Sequence, residues 1–312
     1  MCLCSFLRAA TYCEQNQWSQ AISELDKYAQ YNKNDYSVFV SLGYCYYYDE
    51  DCDKAITNLD RAIELIPNYV RAYKLRGLAL HDSEKYREAV NDFSEVIKRC
   101  PEDAWALSER ADNYCHLSEW ELALKDCRKS ISLNPKAAQT YRNQGGALNG
   151  LGRVEEAIRS YDKALSLLPE RADYYYDRGM LYREQRNYKK AIADISEAIK
   201  RDSKNAIYYC ARGSALLSNH QYERAIADCS ESLKLNSKRT HPHLSRGIAY
   251  SRLGKYSLAL QDLDEAIKHF PEYGEAFYAR SLIYKALGKQ TESRENMIQA
   301  KKFGYEAPEA MN

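Results

Sequence analysis

One spacing governs this chain. From Ala9, in steps of 34 residues, the sequence reads Ala9, Gly43, Gly77, Ala111, Gly145, Gly179, Gly213, Gly247 and Ser281, small at every step. A second series in the same frame reads Ala21, Ala55, Ala89, Ala123, Ala157, Ala191, Ala225, Ala259 and Ser293, with no insertion or deletion across nine units. Side chains this small are needed where paired helices approach closely, because larger ones would overpack the contact. Within the unit Thr240 to Glu272, Gly247 and Tyr250 lie one turn apart on a helical pattern. Leu253-Gly254-Lys255-Tyr256 breaks that pattern, and Ala259, Leu263 and Ala266 resume it. Each unit reads as helix, turn, helix, and each buries its apolar faces against its neighbours.

Gly247, Tyr250, Tyr256, Ala259, Ala266 and Pro271 stand at the spacings of the tetratricopeptide repeat, and the chain resembles that family over nearly its whole length. Nine repeats starting at Cys2, Tyr36, Val70, Ala104, Ala138, Ala172, Ala206, Thr240 and Gly274 fill residues 2–307 as a single solenoid domain, leaving 308–312 as a short tail. The resemblance implies an all-α fold, a right-handed superhelical α-solenoid. Its concave groove would hold an extended or helical segment of another protein.

Composition fits that reading and excludes others. A length of 312 residues would otherwise suggest two or three globular domains, but 45% apolar content supplies a continuous core stacked along an array. A net charge of +1 argues against nucleic acid or an anionic membrane surface as the main partner. The start, Met1-Cys2-Leu3-Cys4-Ser5-Phe6-Leu7-Arg8, has no signal-peptide pattern, and no run approaches a membrane span. The ten cysteines sit at helix positions, with Cys127 and Cys229 standing where other repeats have Tyr161 or Leu263. They read as small core hydrophobes in a reducing, cytoplasmic compartment. No Cys-x-x-Cys occurs, and the six histidines form no zinc pattern along the chain, His241-Pro-His243 being too sparse. No metal and no cofactor are expected. With no catalytic motif and no room for a separate catalytic domain, the chain reads as not an enzyme.

In this family the second, fifth, sixth and ninth positions of the first helix face the groove. In the first repeat that puts Leu3, Phe6, Leu7 and Ala10 there, and in the second Val40, Tyr44, Tyr47 and Tyr48 lie on the same face. Such an apolar, aromatic patch would mark an interaction site and would let two copies pair as a homodimer. Two other readings stay open: an upstream segment covers the patch, or the aromatics pack on neighbouring helices. The middle repeats give a polar lining of Arg71, Lys74, Trp105, Glu109, Asp112, His116 and Arg142, followed by Asp173, Tyr176, Asp177, Arg183 and Glu184. Ile207, Cys210, Leu217, Leu244, Ile248, Tyr278 and Leu282 return it to apolar.

The carboxylate clamp of the family's chaperone-tail binders is absent, since Lys74 is followed by Leu78 and Glu109, and Asn143 is preceded by Ser108 and Asp112. Chaperone carboxyl tails are therefore disfavoured partners. Asn143 is also isolated among Leu7, Ser41, Leu75, Glu109, Asp177, Ala211, Ser245 and Ala279, so the groove asparagine ladder of sugar-transferase superhelices is missing. The expected function is a protein-interaction scaffold. The alternatives are a non-catalytic subunit or fragment of a larger enzyme assembly and, disfavoured by Glu109, Asp112, Asp173 and Asp177, RNA binding.

A further regularity concerns structure. Arg8, Arg76, Arg110, Arg178, Arg212 and Arg246 occur in repeats that carry Glu24, Asp92, Asp126, Asp194, Asp228 and Asp262, whereas repeats two and five lose both members as Leu42/Asn58 and Gln144/Ser160. Arg280, facing Asn296, breaks the rule. Joint presence and joint loss predict a cross-helix ion pair inside each repeat. Gln144-Gly145-Gly146-Ala147-Leu148-Asn149-Gly150 makes repeat five the softest unit, a hinge or a place of close backbone approach. Arg294 and Lys301, where earlier repeats carry Ile, Val, Leu or Ala, make the ninth repeat its own cap, whereas the amino end carries none.

Overall fold

The computed structural model describes residues 2–236 and 240–305, and no strand occurs among them. The helices run in tandem pairs: α1 (Cys2–Glu14) and α2 (Trp18–Tyr31), α3 (Tyr36–Tyr48) and α4 (Cys52–Leu65), α5 (Val70–Asp82) and α6 (Tyr86–Arg99), α7 (Ala104–His116) and α8 (Trp120–Leu133), α9 (Ala138–Gly150) and α10 (Val154–Leu167). They continue as α11 (Ala172–Glu184) and α12 (Tyr188–Arg201), α13 (Ala206–Ser218) and α14 (Tyr222–Leu235), α15 (Thr240–Arg252) and α16 (Tyr256–His269), α17 (Gly274–Ala286) and α18 (Gln290–Lys302). The described residues divide into two compact units, one within Met1–Leu167 and one within Leu168–Asn312. In each, a first helix pairs with the second helix of its own repeat, and that second helix packs on the first helix of the next.

The turn inside each repeat is set by one residue. Asn16, Glu50, Glu84, Ser118, Gly152, Arg186, His220, Gly254 and Gly288 all have positive φ, and all stand at the same repeat position. This left-handed residue ends the first helix and lets the next amide reach back to a carbonyl five residues earlier, as Lys85 N–H does to Leu80 (2.8 Å) and Asp51 N–H to Tyr46 (2.9 Å). Entry to the helices is fixed by short polar caps. Asp35, Asp103 and Asn205 accept from backbone amides at the start of first helices, and Asp51 and Asn187 do so at second helices.

The small-residue series is the seat of the helix contact. A Cβ built on Gly77 would lie 2.8 Å from the Phe93 ring, and one on Gly43 would lie 2.5 Å from Leu59. In repeats one and four the small residue is alanine, and the facing residues are Leu25 and Cys127; all four are buried. The glycine-rich stretch of repeat five forms a continuous helix rather than a hinge. Gly145 accommodates Tyr161, and Gly150 accommodates the Trp120 indole, which a Cβ would approach to 2.3 Å, while a Cβ on Gly146 would make only ordinary contact with the Tyr161 hydroxyl at 3.9 Å.

The predicted cross-helix ion pairs are present, and they extend further than the sequence reading. Arg110 donates Nε–H and Nη2–H to Asp126 at 2.7 and 2.9 Å, a bidentate pair that recurs at Arg76–Asp92, Arg178–Asp194, Arg212–Asp228 and Arg246–Asp262. Arg8 meets Glu24 at 2.8 Å. The remaining nitrogen, Nη1, reaches the second helix of the preceding repeat: Arg76 to Asp60, Arg110 to Ser94, Arg212 to Ser196, Arg246 to Ser230 and Arg280 to Asp264. Each of these arginines therefore joins three helices. In repeat five, Ser160 donates to Gln144 at 3.0 Å, a neutral replacement for the ion pair, and in repeat nine Arg280 donates to Asn296 at 2.6 Å.

Candidate interaction face

The sequence-predicted groove residues all belong to first helices, and stacking divides them into buried and exposed sets. Val40 is a correction. It is 6% exposed and packs with Leu59, Ala62 and Ala72, so it belongs to the core between repeats and offers no surface. Phe6 leans on Tyr28 (ring centroids 5.3 Å apart) at the edge of the first core cluster. Tyr44 and Tyr48 gather around Trp18 at 6.0 and 5.2 Å, and Tyr47 meets Tyr48 edge-on. The expected apolar patch is thus largely aromatic packing on a neighbouring helix. Its open part is Leu7, 62% exposed, with Tyr48, 48% exposed. The side chain of Leu3 lies outside the described residues.

The polar lining in the middle of the first unit is internally paired. Lys74 Nζ lies 2.5 Å from Asp103 and 5.1 Å from the centre of the Trp105 ring. Arg142 lies 3.7 Å from Asp112. Burial, with help from Asp112 and Asp82, pushes the Glu109 carboxyl up to about 7. Asn143 is buried and donates to the Ser108 carbonyl (3.0 Å), so it serves the core rather than a ligand.

In the second unit, Asp173 is held by Arg171 at 2.6 Å and Tyr176 lies against Tyr208 at 5.2 Å. Asp177 and Arg183 are half-buried on the same helix. Cys210 and Leu244 are buried, whereas Ile207 and Leu282 remain exposed. The last two repeats form a half-open pocket of about 400 Å³ lined by Ile248, Tyr278, Leu282, Glu275, Arg252 and Tyr305 among others. Desolvation raises the Glu275 carboxyl above its ordinary range. Ile248, Tyr278 and Leu282 were legible as groove positions. Glu275 and Tyr305 were not named: Glu275 stands at the second position of its repeat, where the groove rule reaches it but it was passed over among apolar neighbours, and Tyr305 lies after the last helix, beyond the rule. Trp18 was missed as well, since it opens a second helix and reaches the face only across the repeat.

No helix among the described residues is long and apolar enough to cross a membrane. The comparisons agree with this architecture. Residues 176–239 and 244–297 match the tetratricopeptide repeat model, residues 145–185 match a TPR repeat model, and residues 7–144 match the model described as the ETO1 C-terminal domain. No curated protein matches the chain. Among solved structures, a tetratricopeptide repeat protein from Parabacteroides merdae is similar over 82% of this chain and 97% of its own, with a TM-score of 0.67 at 18% identity. A chain of the APC/C hetero-tetramer Cut9-Hcn1 is similar over 97% of this chain and 62% of its own, with a TM-score of 0.64 at 15% identity. YrrB, described as a TPR protein with an unusual peptide-binding site, is similar over 60% of this chain and 97% of its own, with a TM-score of 0.52 at 22% identity. The paired helices, the positive-φ turn position that recurs every 34 residues and these matches make the chain a tetratricopeptide-repeat protein, a member of an all-α solenoid family.

Proposed function

We propose that this chain is a non-enzymatic scaffold that holds an extended or helical segment of another protein against its first-helix face. The fold is generally a protein-interaction scaffold. The observation that carries the reading is the pocket of about 400 Å³ beside the exposed Leu282, a volume suited to an anchoring side chain. Glu275 and Arg252 both line it, so the occupant is an apolar anchor flanked by polar groups that meet one carboxyl and one guanidinium. A reducing, cytoplasmic setting belongs to the same reading, with the buried Cys127 and Cys229 serving as small core side chains. A second reading, a non-catalytic part of a larger assembly, is favoured by one observation: residues 7–144 match a model described as the carboxyl-terminal domain of another protein.

Peptides selected from a random library against the chain test the scaffold reading. Their affinity for Leu282→Glu, folded by circular dichroism, is expected to fall by about tenfold or more, the loss of one central apolar anchor. Equal affinities for the variant and the parent chain would remove the pocket from the binding site.

A further inference from the structure

We propose that repeats three and four hold a divalent transition-metal ion of the zinc class between His81, Asp112 and His116. His81 lies in the last turn of α5, and Asp112 and His116 are four residues apart on α7, so they share one face of that helix. One ligand atom from each side chain lies within 4.8 Å of the other two, and His81 Nε2 is 3.8 Å from Asp112 Oδ2. Tetrahedral ligands about 2.0–2.1 Å from a zinc ion stand about 3.3 Å apart, a contraction that small side-chain rotations supply. Along the sequence, His81 lies about one repeat from its two partners, which is why no ligand spacing is visible there.

An independent observation comes from the groups behind these ligands. Asn113 is fully buried, and its Nδ2 donates to the Glu109 carbonyl at 2.9 Å, which fixes its Oδ1 as an acceptor. That Oδ1 lies 3.1 Å from His81 Nδ1, so Nδ1 carries the proton and the Nε2 lone pair is turned toward Asp112. This is how metal-binding imidazoles are oriented: one nitrogen donates to a protein acceptor while the other is left as a ligand. The ring of His116 is held by stacking on Tyr86, with centroids 4.2 Å apart and planes 7° apart. Asp112 turns its second oxygen, Oδ1, toward Arg142 at 3.7 Å, leaving Oδ2 for the ion. The Arg142 guanidinium opposes a cation here. Asp112, as a ligand, brings the negative charge that opposes that effect. Two imidazoles and one carboxylate suit zinc, cobalt or nickel rather than calcium or magnesium, and three protein ligands leave a coordination position for water or an incoming side chain.

The test is titration of the full chain with Zn²⁺ by calorimetry and with Co²⁺ by visible absorption. The parent chain is expected to take up one ion. His81→Ala and His116→Ala, each folded by circular dichroism, should weaken binding at least about tenfold, and His243→Ala, which removes a histidine already paired with Asp262 at 3.0 Å, should leave it unchanged. The Co²⁺ complex should show ligand-field bands without thiolate charge-transfer absorption, which separates this site from the cysteines. Failure of the parent chain to bind Zn²⁺, binding equal in both variants, or a thiolate-dominated Co²⁺ spectrum would each overturn the assignment.

Discussion

Arg110→Ala is expected to lower the stability of the chain by about 3–5 kcal/mol, measured by urea denaturation, because it strands a buried carboxylate. Asp126 keeps only 6% of its side-chain surface exposed and takes both of its strong hydrogen bonds from Arg110. The same substitution also removes the bond from Nη1 to Ser94, loosening the junction with the preceding repeat. The chain carries its own control in repeat five, where Gln144 and Ser160 occupy the corresponding positions and hydrogen-bond to each other. The double variant Arg110→Gln/Asp126→Ser should therefore recover most of the loss. If the single and double variants lose the same amount, the cost is packing of the arginine stem and not the unpaired charge.

The second large effect concerns the small-residue series. Phe93→Ala should cost about 3–5 kcal/mol, since the ring is fully buried and its removal opens a cavity at the centre of repeat three. Gly77→Ala should cost about 1–3 kcal/mol, because a methyl there meets the Phe93 ring at 2.8 Å. The two positions are one contact, so their effects should not add. Gly77→Ala combined with Phe93→Leu reproduces the Ala9 and Leu25 pairing of repeat one, where both residues are buried in one cluster. That combination should cost less than the sum of its single variants. Strict additivity would mean that Gly77 is small for some reason other than this contact.

These two contacts mark what was legible in the sequence. A helix–helix contact that recurs in every repeat leaves a periodic trace, and so does a paired charge that cannot be lost one partner at a time. Both could be read directly, as could the helix starts, because the 34-residue period runs without insertion or deletion. The Nη1 bonds to the preceding repeat were missed although Asp60, Ser94, Ser196, Ser230 and Asp264 share one repeat position. Serine and aspartate are ordinary surface residues on a helix, and only the stacking brings them to an arginine.

The interaction face was harder for a related reason. Whether a first-helix side chain is open or covered depends on how the second helix of its own repeat and the next first helix together pack against it. Val40 and Leu244 are covered, whereas Leu7 and Leu282 are not, though all four are apolar residues on first helices. The His81, Asp112 and His116 group shows the same limit: its members come from successive repeats, and neither helix alone carries the set.

The most direct test of the scaffold reading is site-specific photo-crosslinking with a bound, library-selected peptide. A crosslinking residue is placed in turn at Ile207 and Leu282, exposed on first helices, and at Leu122 and Leu258, exposed on second helices. Adducts at Ile207 and Leu282 alone are the predicted result. Adducts concentrated at Leu122 or Leu258 would place the partner on the opposite set of helices and contradict the account.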